Sequence, residues 1–129
     1  MGHPLIDRLT TEFGWPRIAT EDGFRAFVSA PGAHVLFVPG DAARNLETPD
    51  VAVILPELKA AFQHAFDCAV VDDAMEKAIR EETKVFKTPS LILYRDGRFL
   101  GGIPKVRDWS DYVARLSHYL ASSDTTETA

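Results

Sequence analysis

The chain has one cysteine, Cys68, among its 129 residues. A single thiol excludes an intramolecular disulfide and any Cys-x-x-Cys redox pair. Metal-binding spacing is missing as well, since His3, His34, His64 and His118 are scattered along the chain. No apolar run approaches the roughly 18 residues that a membrane-crossing helix needs. The opening residues MGHPLIDRLTTEF lack the basic-then-apolar order of a secretory signal, so a cytoplasmic protein with no membrane insertion is expected. A concentrated basic face is also missing. The formal charge of −5 leaves little to neutralise phosphates, which argues against a nucleic-acid partner. No metal, cofactor or catalytic residue is expected.

What charge there is lies unevenly. Residues 41–82 carry ten acidic and four basic side chains, whereas residues 83–129 carry five and seven. Solvated helix faces account for many such runs, and attraction to a basic partner accounts for others. Asp50 and Asp73 are expected first of all as helix caps, because acids near a helix N-terminus are favourable against its dipole.

The hydrophobic pattern divides the chain into ten elements. Pro4, Leu5, Ile6, Leu9 and Phe13 mark a short helix ending at Gly14, and Trp15 to Ile18 an extended connector or edge strand. Thr20 caps a helix with Phe24, Phe27 and Val28 on one face, and HVLFV (34–38) reads as a buried strand. The polar segment 39–49 is a loop longer than most. A helix capped by Asp50 follows, with Pro56 inside it to kink it. FDCAVV (66–71) is a second buried strand, and a helix beginning at Asp73 and Glu76 runs to about Thr83. SLILY (90–94), Asp96-Gly97 and residues 98–103 form a hairpin, because Asp-Gly between two strand-like runs is a strong turn signal. A last helix starts after Asp108 or Ser110. The aromatic residues Phe13, Phe24, Phe27, Phe62, Trp109 and Tyr112 are expected in the core. Residues 1–121 thus form one α/β domain with a central mixed sheet and helices on both faces, and 122–129 a disordered polar tail.

This order, together with Lys87-Thr88-Pro89-Ser90, Arg95-Asp96-Gly97-Arg98 and Pro56, resembles thioredoxin: the first segment its cis-proline turn, the second its hairpin turn, the third its kinked-helix proline. The resemblance implies a thioredoxin-like three-layer fold and a cis bond before Pro89, where an isolated X-Pro bond would be expected trans. Spacing from Pro56 aligns Thr48-Pro49-Asp50-Val51 with the thioredoxin Cys-Gly-Pro-Cys, and the aligned strand places Leu36 where thioredoxins keep a buried acid. Disulfide exchange therefore lacks both thiols. Among cysteine-less proteins of this fold the chain resembles the HyaE/HupG family of NiFe-hydrogenase maturation chaperones, in its length, its N-terminal helix, its long loop and the ending FKTPSLILYRDGRFLGGIPKVRDWSDYV. That resemblance implies a non-catalytic chaperone that binds the twin-arginine signal peptide of the hydrogenase small-subunit precursor before export. Other hydrogenase maturation proteins are further candidate partners.

The candidate peptide-binding residues are Glu47, Thr48, Pro49, Asp50, Val51, Thr88, Pro89, Pro104 and Lys105. Asp41, Glu57, Asp72, Asp73 and Glu76 are candidates for electrostatic capture. The competing readings are a monothiol oxidoreductase using Cys68 and a generic interaction module. Against the first, Cys68 sits in an apolar run, where burial makes a thiol inert.

Overall fold

Aliphatic and β-branched residues run unbroken in three places, and each becomes a strand at the centre of the sheet. The computed structural model describes residues 3–41 and 43–128, with side chains described through residue 121. In chain order the elements are α1 (Pro4–Thr11), β1 (Arg17–Ile18), α2 (Glu21–Ser29), β2 (Ala33–Val38), α3 (Thr48–Ala61), β3 (Phe66–Val71), α4 (Asp73–Thr83), β4 (Ser90–Arg95), β5 (Arg98–Pro104) and α5 (Trp109–Thr128). The sheet order is β1-β3-β2-β4-β5. β1, β3 and β2 are parallel, while β4 and β5 join antiparallel, so the sheet is mixed as expected.

Alternation along the central strands divides the core in two. Val35 and Phe37 of β2, with Cys68 and Val70 of β3, pack against Val51, Leu55 and Leu58 of α3 and Tyr112 and Leu116 of α5. Leu36, Val38, Ala69, Val71 and Ile92 point the other way, against Phe24 and Val28 of α2 and Met75 and Ile79 of α4. Helices thus cover both faces. Leu36 lies on the face turned away from α3, which corrects its alignment with an acid serving that helix: the β2 residues facing α3 are Val35 and Phe37, and both are apolar.

Local chemistry sets the ends of the elements. Thr20 Oγ1 accepts the Gly23 N–H at 3.0 Å and starts α2. Asp96 (φ 51°) and Gly97 (φ 86°) both take left-handed backbone, as a two-residue hairpin of this kind requires. The Thr88-Pro89 bond is cis, and Pro56 lies inside α3.

Several expectations need correction. α3 begins at Thr48 with Pro49 in its first turn, so Asp50 is an acid of that turn and not the cap. A proline fits there because its missing N–H would have had no helical partner. The cap of α4 is Asp72, whose Oδ2 accepts the Ala74 N–H at 3.0 Å, and Asp73 is the first helical residue. Phe13 and Trp109 are exposed, at 41% and 45%. Phe13 follows the end of α1 and leans on Trp15, with ring centroids 5.7 Å apart. The buried stripe of α5 starts one turn after Trp109, at Tyr112. The α5 backbone continues to Thr128, over the segment expected as a disordered tail; the side chains of 122–128, and Ala129 altogether, lie outside the described residues.

Candidate functional site

The three parallel strands end side by side, and the segments leaving their carboxyl ends build the candidate site, the usual location for ligands in open α/β sheets. After β2 the chain turns at Gly40 (φ 73°). A Cβ there would stand 2.4 Å from Thr88 Oγ1 and 2.6 Å from Asn45 Nδ2, so the position requires glycine. The Asp41 carbonyl then accepts N–H groups from Arg44 and Asn45, and Asp41 Oδ1 accepts the Ala43 N–H at 3.0 Å.

These bonds draw the sequence-aligned corner together. Asn45 Nδ2 donates to Thr88 Oγ1 at 3.1 Å, joining the long loop to the cis-proline turn. Thr48 is wholly buried and donates its hydroxyl to the Pro39 carbonyl at 2.7 Å. Glu47 makes no side-chain capping bond to its own helix; its Oε1 instead accepts the Val106 N–H at 3.4 Å. The Lys105 N–H donates to the Pro89 carbonyl at 2.7 Å, and Tyr112 donates its hydroxyl to the Lys105 carbonyl at 3.3 Å. Residues 47–51, 88–89 and 104–105 therefore meet, as the alignment implies. Thr48, Val51 and Pro89 are buried, so the surface of this corner consists of Glu47, Pro49, Asp50, Thr88, Pro104 and Lys105.

Beside the corner opens a cleft of about 790 Å³, between the start of α1, Pro39, Gly40, Asp41 and Ala43, and the start of α4. Asp41, Asp72, Asp73 and Glu76, four of the five acids expected to act electrostatically, line it; Glu57, on α3, does not. The structure adds Asp7, which the sequence did not single out. Against these carboxylates stands Arg17, 3.6 Å from both Asp7 and Asp72. Asp73 is exposed, and Glu76 Oε2 accepts the Gly40 N–H at 3.0 Å. Burial raises the Glu76 carboxyl above its ordinary value, an effect the Gly40 hydrogen bond opposes. Among the described residues, no group of three or more His, Cys, Asp or Glu is placed to hold a metal ion, so these acids line the cleft without converging on one point. Such an arrangement can attract a cationic group broader than a bare ion, such as a guanidinium.

Sequence reasoning missed Gly40, Asn45, Asp7 and Arg17. Gly40 carried a signal, a glycine directly after a buried strand, whereas Asp7 and Arg17 approach the site only through tertiary packing. Cys68 belongs to neither region. It is 2% exposed, and burial pushes its thiol up to about 12, so the reactive thiolate is strongly disfavoured. Among the described residues no helix is long and apolar enough to cross a membrane.

Comparison with known proteins agrees with this architecture. Mitochondrial thioredoxin 3 from Saccharomyces cerevisiae superposes with a TM-score of 0.65 at 16% identity, covering 85% of this chain and 96% of that one, which shows the thioredoxin-like fold. The crystal structure of a hydrogenase expression/formation protein hupG from Rhodopseudomonas palustris is 38% identical, with a TM-score of 0.55 over 84% of this chain and 97% of that one. The hydrogenase expression/formation protein HupG of Rhodobacter capsulatus is 67% identical over 120 residues, covering 93% of this chain and 87% of the relative. The family model described as hydrogenase-1 expression protein HyaE matches residues 5–112. On this evidence the chain belongs to the HyaE family of hydrogenase expression proteins.

Proposed function

We propose that this chain is a non-catalytic cytoplasmic chaperone of NiFe-hydrogenase maturation, which holds the twin-arginine signal peptide of the small-subunit precursor before export. The observation that carries the reading is the acidic cleft beside a corner without cysteine, where five carboxylates face one arginine. Paired arginines suit such a cleft, because a guanidinium presents a planar fork of donors that matches carboxylate oxygens. Family membership supplies the hydrogenase context. Exposed ion pairs add only about 0.2 to 1 kcal/mol each, so the charges chiefly speed encounter and fix orientation, and apolar contacts supply most of the hold.

The test is titration of the purified chain with the intact precursor and with its signal peptide, each with native arginines and with both arginines replaced by glutamine. The expected result is a complex whose association slows with salt and with loss of the arginines. No complex with the intact precursor at any salt concentration would overturn the reading. Cys68 provides a separate check on the absence of thiol catalysis. Small alkylating agents should label it only as fast as the protein unfolds, and rapid labelling of the folded chain would revive the oxidoreductase alternative.

A further inference from the structure

Leu46 is 83% exposed, an unusual position for a large aliphatic side chain on a segment that is held in place. Asn45 beside it bonds to Thr88, its backbone N–H donates to the Asp41 carbonyl at 2.8 Å, and the Thr48 N–H donates to the Asn45 carbonyl at 3.1 Å. The loop is pinned on both sides of Leu46, and the side chain is presented outward. Just beyond it, in α3, Pro49 is half-buried and Val53 is 39% exposed. The bond from the Val106 N–H to Glu47 brings the start of α5 alongside, and there Trp109 is 45% exposed. Leu46 and Val53 thus lie on one stretch of chain and Trp109 on another, and the Val106–Glu47 bond ties the two stretches together.

Resting on the chaperone reading above, we propose that Leu46, Val53 and Trp109 form the docking surface for the apolar stretch of the partner segment, whose basic residues occupy the neighbouring cleft. Charge complementarity fixes the occupant. Asp41, on the cleft, and Leu46, on the apolar surface, lie five residues apart in two successive turns that meet at Asn45, so the two surfaces adjoin. A segment of half a dozen extended residues spans roughly 20 Å and reaches across both. A purely apolar partner would leave the carboxylates unmatched, and a purely basic one would leave Leu46 and Trp109 in water. Among the described residues the other large exposed apolar side chains are Phe13, which leans on Trp15, and Phe86 and Phe99, near α4 and on β5; none of the three lines the cleft. They provide a control surface.

Tryptophan emission reads the contact directly. The chain has two tryptophans, and Trp15 is buried, so a change on binding reports on Trp109. The experiment titrates the full chain with the small-subunit signal peptide, and with a second peptide that keeps the arginines but has serines in place of the apolar stretch. We expect a blue shift with the first peptide and none with the second. The Leu46→Ser/Val53→Ser variant should bind the first peptide roughly tenfold or more weakly, and Phe86→Ser should bind it as the wild type does. Unchanged affinity in the double variant, while the wild type binds the native peptide, overturns this docking surface and leaves the chaperone reading intact. Failure of the wild type to bind either the peptide or the intact precursor overturns both.

Discussion

At the corner beginning α3, Thr48 and Val51 are sealed from solvent, and Asn45, Glu47, Thr48 and Thr88 bond to other parts of the same chain. In the adjoining cleft five carboxylates surround about 790 Å³ of open space. Gly40 belongs to both, packed against Thr88 on one side and donating to Glu76 on the other. The difference teaches that one region is closed by bonds within the chain and the other is open to solvent. At the corner that the sequence aligns with the thioredoxin cysteines this chain has a structural joint, and five carboxylates lie on its flank. Substitutions in the joint should therefore act on stability, and substitutions in the cleft on encounter.

Gly40→Ala should have the largest effect, because it adds a Cβ against Thr88 and Asn45 at a left-handed backbone position. Overpacking and the strained φ together should cost roughly 2 to 5 kcal/mol in urea unfolding. A loss under about 1 kcal/mol would show that the joint is looser than its distances indicate.

Thr48→Val comes next. It keeps the shape but leaves the Pro39 carbonyl without its hydroxyl donor, at an expected cost of about 1 to 3 kcal/mol. Thr48→Ser, which restores the donor, should recover part of the loss. Equal stability of the valine variant and the wild type would deny the joint its central hydrogen bond.

Glu76 links the two regions and gives a pH test. Its carboxyl is raised above the ordinary 4.5 by burial, so the folded protein holds this proton more tightly than the unfolded chain does. The associated stability is present below 4.5 and is lost as pH rises through the raised folded value. Glu76→Gln removes this dependence while leaving an amide oxygen for the Gly40 N–H. Relative to that variant, the wild type should be more stable near pH 4 than near pH 7. A stability difference that is flat with pH would contradict the burial effect.

The smallest effect sharpens the comparison on the cleft side. Asp41→Asn with Asp73→Asn should slow association of a basic peptide at low salt, each charge contributing about 0.2 to 1 kcal/mol. Asp50→Asn with Glu57→Gln, on α3, should matter less because neither residue lines the cleft. Equal effects of the two pairs would mean that net charge, and not the cleft, governs capture. Unfolding midpoints should barely move in either pair.

Particular elements show how far the sequence reaches. The strand over 66–71 and the hairpin turn at Asp96-Gly97 were legible because an apolar run and a turn dipeptide act locally. The start of α3 was placed three residues late: Asp50 looked like a cap, while Pro49 is itself tolerated in a first turn and Glu47 reaches to Val106. Trp109 read as core because it continues a helical stripe, and helical spacing does not reveal where the sheet beneath that stripe ends. Of the five acids expected to act together, the structure gathers four. Glu57 falls outside because residues close in sequence can lie on different surfaces of a packed domain.

The sequence by itself determined the element order, the two-sided core and the lack of a thiol pair at the corner, because hydrophobic periodicity, turn residues and side-chain chemistry are local properties. Only the tertiary structure decided that Asp7 and Arg17 join Asp41 and Glu76 around one cleft, that Thr48 is buried in a joint, and that Leu46 and Trp109 remain outside. Those outcomes depend on packing among segments far apart along the chain, and no local pattern records which of its neighbours a side chain will meet.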